Sequence, residues 1–367
     1  MQAVILAAGK GSRMYPLATD KPKPLVEVAN KPVLEHNLDQ MLGLVDEVIL
    51  VVGYKKDMIM EKFGDNYLGI KIIYVVQEEQ LGTGHALLQT EKKIRGSFLV
   101  MNGDDLFSRK DMESISKYEN CLLVKKEKDA SSFAAVVVEQ GLVVDIVEKP
   151  KEYISDLVNV GMYFFNVEVF EILKSLKKSE RGEYEIPDAV RELAKLGKMH
   201  YEEVKGFWIP VGCPWHILEA TEEMLEDNPG ISIKGRLEEG VVVEGSVDIG
   251  EETVVGKGTL LKGNIVIGKN CQIGENCTIT GFTAIGDNSV VKQGTTLDNV
   301  VVGKKSRLGE RCLVRDSVLG EGTILSEGVK IESKSQEAEE REIGAFVGDG
   351  CKVDKDLKSG EYVSKKD

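Results

Sequence analysis

The feature that most restricts this chain is a period of six in its last third. IGKNCQ, IGENCT, ITGFTA, IGDNSV and VKQGTT follow one another without a gap from Ile267. After a slip of one residue the register resumes at VGKKSR (302) and LGERCL (308). After a second slip it returns at LGEGTI (319) and LSEGVK (325). An aliphatic residue opens each hexad, and Cys, Ser or Thr recurs four places on in all but the last. Such a period predicts a β-helix solenoid, with the aliphatic residues stacked inside and the small residues fitted into tight corners. Cys271, Cys277, Cys312 and Cys351 hold that small-residue place, which gives them a packing role. The segment ESKSQEAEEREIG (332–344) breaks the period and is expected to be a solvated loop or short helix.

Upstream the pattern changes. AVILAAG (3–9), DEVILVVGY, IKIIYVVQ and SFLVMNGDD read as strands, and PVLEHNLDQMLGLV, KKDMIMEKFGD and GHALLQTEKKI as the helices between them. Alternation of this kind predicts a doubly wound α/β sheet with its ligand at the carboxyl ends of the strands. A turn-rich linker at Asp227-Asn228-Pro229-Gly230 divides the two patterns. The expected domains are therefore 1–228 and 231–365.

One loop stands out against the composition. The chain carries a net charge of −14, which disfavours nucleic acid or an anionic membrane as partner. Yet Lys10, Arg13, Lys21 and Lys23 cluster behind the first strand in GKGSRMYPLATDKPKPL (9–25), with Lys31 just beyond. Gly9 and Gly11 let backbone N–H groups turn toward an anion. Arg13 and Lys23 add charge, and Pro22 and Pro24 stiffen the chain around Lys23. The shape suits a nucleoside triphosphate tail. It is neither a P-loop nor a GxGxxG fingerprint, since Met14 stands at the third glycine's place. A basic, proline-rich surface loop is the plainer alternative. No apolar stretch is long enough to span a membrane, and the N-terminal run does not read as a signal peptide. The six cysteines include no CxxC pair, so reduced thiols in a cytoplasmic protein are expected.

LAAGKGSRMYPLATDKPKPL resembles the signature of the sugar-1-phosphate nucleotidylyltransferases, GxGxRxxPxTxxxPKPL. Gln77 with QLGTGHA (80–86), NGDD (102–105), Glu148-Lys149-Pro150, Asn159-Val160-Gly161 and RGEYEIPDAV (181–190) are similar to further blocks of that family. The resemblance spans most of residues 1–225. Archaeal-type members with a hexapeptide tail look nearest. It implies an α/β nucleotidyltransferase domain with a doubly wound mixed or parallel sheet, followed by a left-handed parallel β-helix. It also implies attack of a sugar-1-phosphate oxygen on the α-phosphorus of UTP or dTTP, with pyrophosphate leaving. The nucleophile is already ionised, so positioning and charge neutralisation would carry the catalysis.

On this resemblance Arg13, Lys23 and Asp104 are the catalytic residues, and Asp104 holds Mg²⁺. Leu6, Ala8, Gly9, Lys10, Gly11, Gln77, Gly82 and Thr83 bind the nucleotide. Gly103, Glu148, Lys149, Asn159 and Gly161 bind the sugar phosphate. Without the family, Asp104 could be a strand-end cap, and Glu148 and Lys149 a surface ion pair. Asp105 reads as a turn or helix cap, His85 as a packing residue near a helix start, and Trp208 and Trp215 as packing residues.

The chain departs from the pattern at three places. Ala18 stands where the family has Thr, and Phe133-Ala134 where Tyr-Gly is common. Pro210 stands where a second metal-binding acid is usual, which favours a rival reading: a nucleotide-sugar-binding regulatory subunit that has lost turnover. Related bifunctional enzymes acetylate glucosamine-1-phosphate in their solenoid with a histidine base. Here the four histidines are His36, His85, His200 and His216, so the solenoid is expected to lack that activity. Solenoids of this kind commonly assemble as trimers, and a homo-oligomer is expected.

Overall fold

The computed structural model describes residues 1–226, 230–336 and 341–365. Most of the expected linker, Asp227 to Pro229, lies outside them. Packing divides the chain into two compact units. The first comprises Met1–Lys10, Pro22–Pro24 and Leu34–Trp208; the second comprises Gly11–Lys21, Leu25–Val33 and Ile209–Asp367.

The first unit is built on a ten-stranded mixed sheet. Its centre is Gln2–Ala7, which pairs in parallel with Glu47–Val52 on one side and Phe98–Asn102 on the other. Ile70–Val76 extends the parallel half. Beyond Phe98–Asn102, Leu157–Phe165 runs antiparallel and leads to Cys121–Lys126, His200–Glu203 and the hairpin Ala134–Glu139/Leu142–Glu148. These strands are apolar on both faces because helices cover both. Val4, Ile49, Phe98 and Val100 share one core with Leu87, Phe170, Val190 and Leu193. The alternate residues Ile5, Val48, Leu50 and Leu99 are equally buried. The α/β layering expected from the alternation is present, and its parallel strands end together at one edge.

The second unit is built on two stacked parallel sheets. Residues one rung apart are 18 positions apart in the early rungs, as in Leu261 opposite Ile279. They are 17 apart later, as in Leu297 opposite Val314, which is the sheet's record of the slip in the hexads. The aliphatic residues that open the hexads (Ile267, Ile273, Ile279, Ile285, Val291, Val302, Leu308) form the core with Cys271, Cys277 and Cys312. Each corner residue also ties rungs together. Thr253 Oγ1 donates to Gly268 O at 2.6 Å and accepts the Cys271 N–H at 2.9 Å. The cysteines substitute a thiol in the same place: Cys271 Sγ contacts Gly286 O at 3.3 Å and Cys312 Sγ contacts Ser326 O at 3.2 Å. Burial pushes the Cys271, Cys277 and Cys312 thiols up from their ordinary range. Asn270, Asn276 and Asn288 take left-handed backbone at the residue before each corner, which explains the Asn and Gly in that column.

The aperiodic segment corrects the expectation of a loop or helix. Lys334–Gln336 and Arg341–Ile343 pair antiparallel as a hairpin that interrupts the stack. Its charge and lack of apolar alternation concealed strands that pair only with each other.

Candidate functional site

The site lies at the carboxyl edge of the first unit's parallel strands. The strand Gln2–Ala7 is followed by Ala8, whose carbonyl accepts the Gln80 side-chain amide at 2.6 Å and the Tyr54 N–H at 3.2 Å. Gly9 and Lys10 follow, both exposed. A pocket beside them is lined by Lys10, Gly53, Tyr54, Lys56, Gln77 and Gln80 among others. Of these, Lys10, Gln77 and Gln80 (the last in QLGTGHA) belong to the blocks read from the sequence. Tyr54 and Lys56 sit just past the end of a neighbouring parallel strand, and that position was the available signal.

Gln77 is buried, and its Nε2 donates to Gly82 O at 3.1 Å and meets His85 Nδ1 at 3.1 Å. His85 thus orients Gln77, a more definite role than packing. Gly82 has φ +104°, and a Cβ there would lie 2.4 Å from Tyr184 O. Only glycine fits. The Gly84 N–H donates to Tyr184 O, and Thr83 Oγ1 accepts the Ile186 N–H at 3.1 Å. The RGEYEIPDAV block is therefore the partner against which QLGTGHA is held.

At the end of Phe98–Asn102, the Gly103 N–H donates to Leu6 O at 2.9 Å. A Cβ on Gly103 would press Ile5 Cγ2 at 2.9 Å. Asp104 comes next, and its Oδ2 accepts from Lys23 Nζ at 2.6 Å. The Lys23 side chain is 7% exposed and that of Asp104 is 37% exposed. A nearly enclosed ammonium thus faces a carboxylate that still meets solvent. Asp105 begins the short strand Asp105–Phe107; it caps no helix, Ser108 being the cap of the helix that follows. Burial, and then the Asp104 charge, push the Asp105 carboxyl up, against the opposing pull of Lys23. The Trp208 indole N–H points at Asp105 Oδ2 at 3.5 Å, while its ring packs edge-on against Phe133. Trp208 therefore does more than pack.

The sugar-side candidates meet on the antiparallel half of the sheet. Ala134 is opposite Glu148 on one neighbouring strand and Asn159 on the other. Glu148 Oε1 pairs with Arg181 at 3.3 Å, and burial followed by the Glu185 charge raises its carboxyl. Lys149 is exposed, with left-handed backbone and its N–H on Phe133 O at 2.8 Å. Asn159 Nδ2 donates to Tyr163 OH at 2.7 Å, and its Oδ1 accepts the Gly161 N–H. Gly161, at φ +80°, sits so close to Asn102 that a Cβ would fall 2.1 Å from Asn102 Nδ2. Asn102, the first residue of the NGDD block, thereby links the Asp104 turn to the sugar-side bulge. Gly11 and Arg13 belong to the second unit. Gly11 is left-handed at φ +66° and starts a turn over Ser12–Met14; Arg13 is exposed.

Among the described residues, no three acids, histidines or cysteines gather as a metal cage. Asp104 and Asp105 beside Lys23 instead suit a hard cation that takes one or two carboxylates and draws its other oxygens from phosphate and water.

The family described as Nucleotidyl transferase matches residues 2–227, and the GMPPB C-terminal domain matches 243–336. A protein of Methanocaldococcus jannaschii named "Bifunctional protein GlmU" is 35% identical over 100% of this chain and 98% of its own length. One of the same name from Methanococcus maripaludis S2 is 41% identical over 70% of this chain, which spans 62% of that relative's length. A solved UDP-glucose pyrophosphorylase complexed with UDP-glucose is 25% identical with a TM-score of 0.55, covering 60% of this chain and 96% of its own.

Proposed function

The chain belongs to the nucleotidyl transferase family, and on that footing we propose that it joins a sugar 1-phosphate to UTP or dTTP and releases pyrophosphate. Glucose- or N-acetylglucosamine-1-phosphate is the sugar. The observation that carries this reading is the Lys23–Asp104 pair at 2.6 Å, an enclosed cation where the α-phosphate charge would develop. Lys23 would neutralise that charge, and Gly9, Lys10, Gly11 and Arg13 would hold the β,γ-phosphates. Lys149 would hold the sugar phosphate, and Glu148 and Asn159 the sugar hydroxyls. Gln77, Gly82 and Thr83, with Leu6 and Ala8, would seat the base and its nucleoside. Members of the family commonly use a divalent metal; here it would be Mg²⁺ on Asp104, adding charge neutralisation at the triphosphate. The matches to residues 2–227 and 243–336 support a division of labour between 1–228 and 231–365.

Pro210 favours one rival, a binding subunit without turnover. The test is pyrophosphate release with Mg²⁺, UTP or dTTP, and each sugar 1-phosphate. Native turnover is expected, and Pro210→Asp should raise it about tenfold, near 1.4 kcal/mol in the barrier. A silent native chain beside an active Pro210→Asp variant would establish the rival instead.

The stacked parallel rungs are, on this proposal, a left-handed β-helix that assembles the chain as a trimer. Light scattering should give three times the 40.4 kDa chain mass; a monomer would reject it.

A further inference from the structure

The stretches Gly11–Lys21 and Leu25–Val33 pack with the coil, although they adjoin Gly9-Lys10 and Pro22–Pro24 in sequence. One corner of the coil receives them. Lys304, Glu321 and Asp349 follow Gly303, Gly320 and Gly348, rung upon rung. A Cβ on Gly303 would meet Glu321 N at 2.5 Å, and one on Gly320 would meet Asp349 N at 2.7 Å.

Two charges of this column meet opposite charges of the loop. Lys304 Nζ reaches Glu27 at 3.0 Å and Glu321 at 3.7 Å. Asp349 pairs with Lys21 at 3.1 Å, each side chain 16% exposed, and its Oδ1 also accepts the Glu321 N–H at 2.8 Å. Pro16 lies against Gly348, where a Cβ would stand 3.0 Å from the Pro16 carbonyl oxygen. Lys365 pairs with Asp20 at 2.8 Å. Four loop residues, Pro16, Asp20, Lys21 and Glu27, are thus gripped by the late rungs. Enclosure strengthens the Lys21–Asp349 pair relative to an exposed one, and the Glu321 amide fixes the carboxylate's direction.

We propose that Asp349 is a positioning residue for the triphosphate: by fixing Lys21 it holds the turn that carries Gly11 and Arg13. This inference rests on the nucleotidyl-transfer reading. It goes beyond that reading by making nucleotide affinity depend on the coil.

The test compares the full-length native chain with Asp349→Asn and with the exchanged pair Lys21→Asp plus Asp349→Lys. In Asp349→Asn the KM for the nucleoside triphosphate should rise about tenfold, with kcat and the sugar 1-phosphate KM within twofold of native. The exchanged pair should recover most of the loss. Amide hydrogen exchange without substrate should quicken across residues 11–21 of Asp349→Asn and stay unchanged in Phe98–Asn102. An equal rise in both KM values, or unchanged loop exchange, overturns the proposal. A native chain silent with every substrate pair defeats the enzymatic reading instead, and loop exchange then decides the clamp alone.

Discussion

Lys23→Ala should lower kcat for pyrophosphate release by about 10²- to 10³-fold, the range found when one preorganised electrostatic group is removed. Lys23 is 6% exposed, and its ammonium is 2.6 Å from Asp104. Its orientation is therefore settled before substrate arrives, and on the proposed role no reorganisation would be needed as charge develops on the α-phosphate. Removing it also leaves Asp104 and Asp105 side by side without their neutralising neighbour. Asp104 still meets solvent, so the fold should survive and the loss should fall on turnover. Lys23→Arg should recover little, because a planar fork does not replace a point charge between two buried prolines, Pro22 and Pro24. A pyrophosphate-coupled assay at saturating substrates reads the effect; kcat within threefold of native would remove Lys23 from the mechanism.

Ile279→Ala should cost about 2–5 kcal/mol of stability in the second unit, as buried large-to-small changes do. Ile279 is fully buried, and it lies between Leu261 on the rung before and Leu297 on the rung after, both fully buried. In a stack where each rung touches only its neighbours, a cavity in the middle weakens two interfaces together. Urea unfolding followed by far-ultraviolet circular dichroism measures it. A loss under about 1 kcal/mol would mean that the rungs close over the gap.

The two architectures were legible because each has a period. The hexads from Ile267 set the rungs and even their slips, and the alternation of apolar strands and helices set the first unit's layers. The blocks proposed for nucleotide and sugar are short motifs in the sequence, and the sheet register sets Glu148 and Asn159 on either side of Ala134. The contacts between these blocks have no local pattern. Asn102 matters because Gly161 packs on it. Asp105 is drawn to Trp208, 103 residues away. The assignment of Gly11–Lys21 to the coil depends on single charges matched over hundreds of residues, and such pairs leave no periodic trace.

That last arrangement bears on the order in which the protein is made. Lys21 and Asp349 are 328 residues apart, so at about 5–20 residues per second a ribosome would take roughly 16–66 s to supply the loop's partner. Through that interval the nascent chain carries Gly11–Lys21 without its anchor, while the strands around Gln2–Ala7 already have theirs. On the proposed clamp, the loop gains its Lys21–Asp349 anchor only once the rung that carries Asp349 has been made.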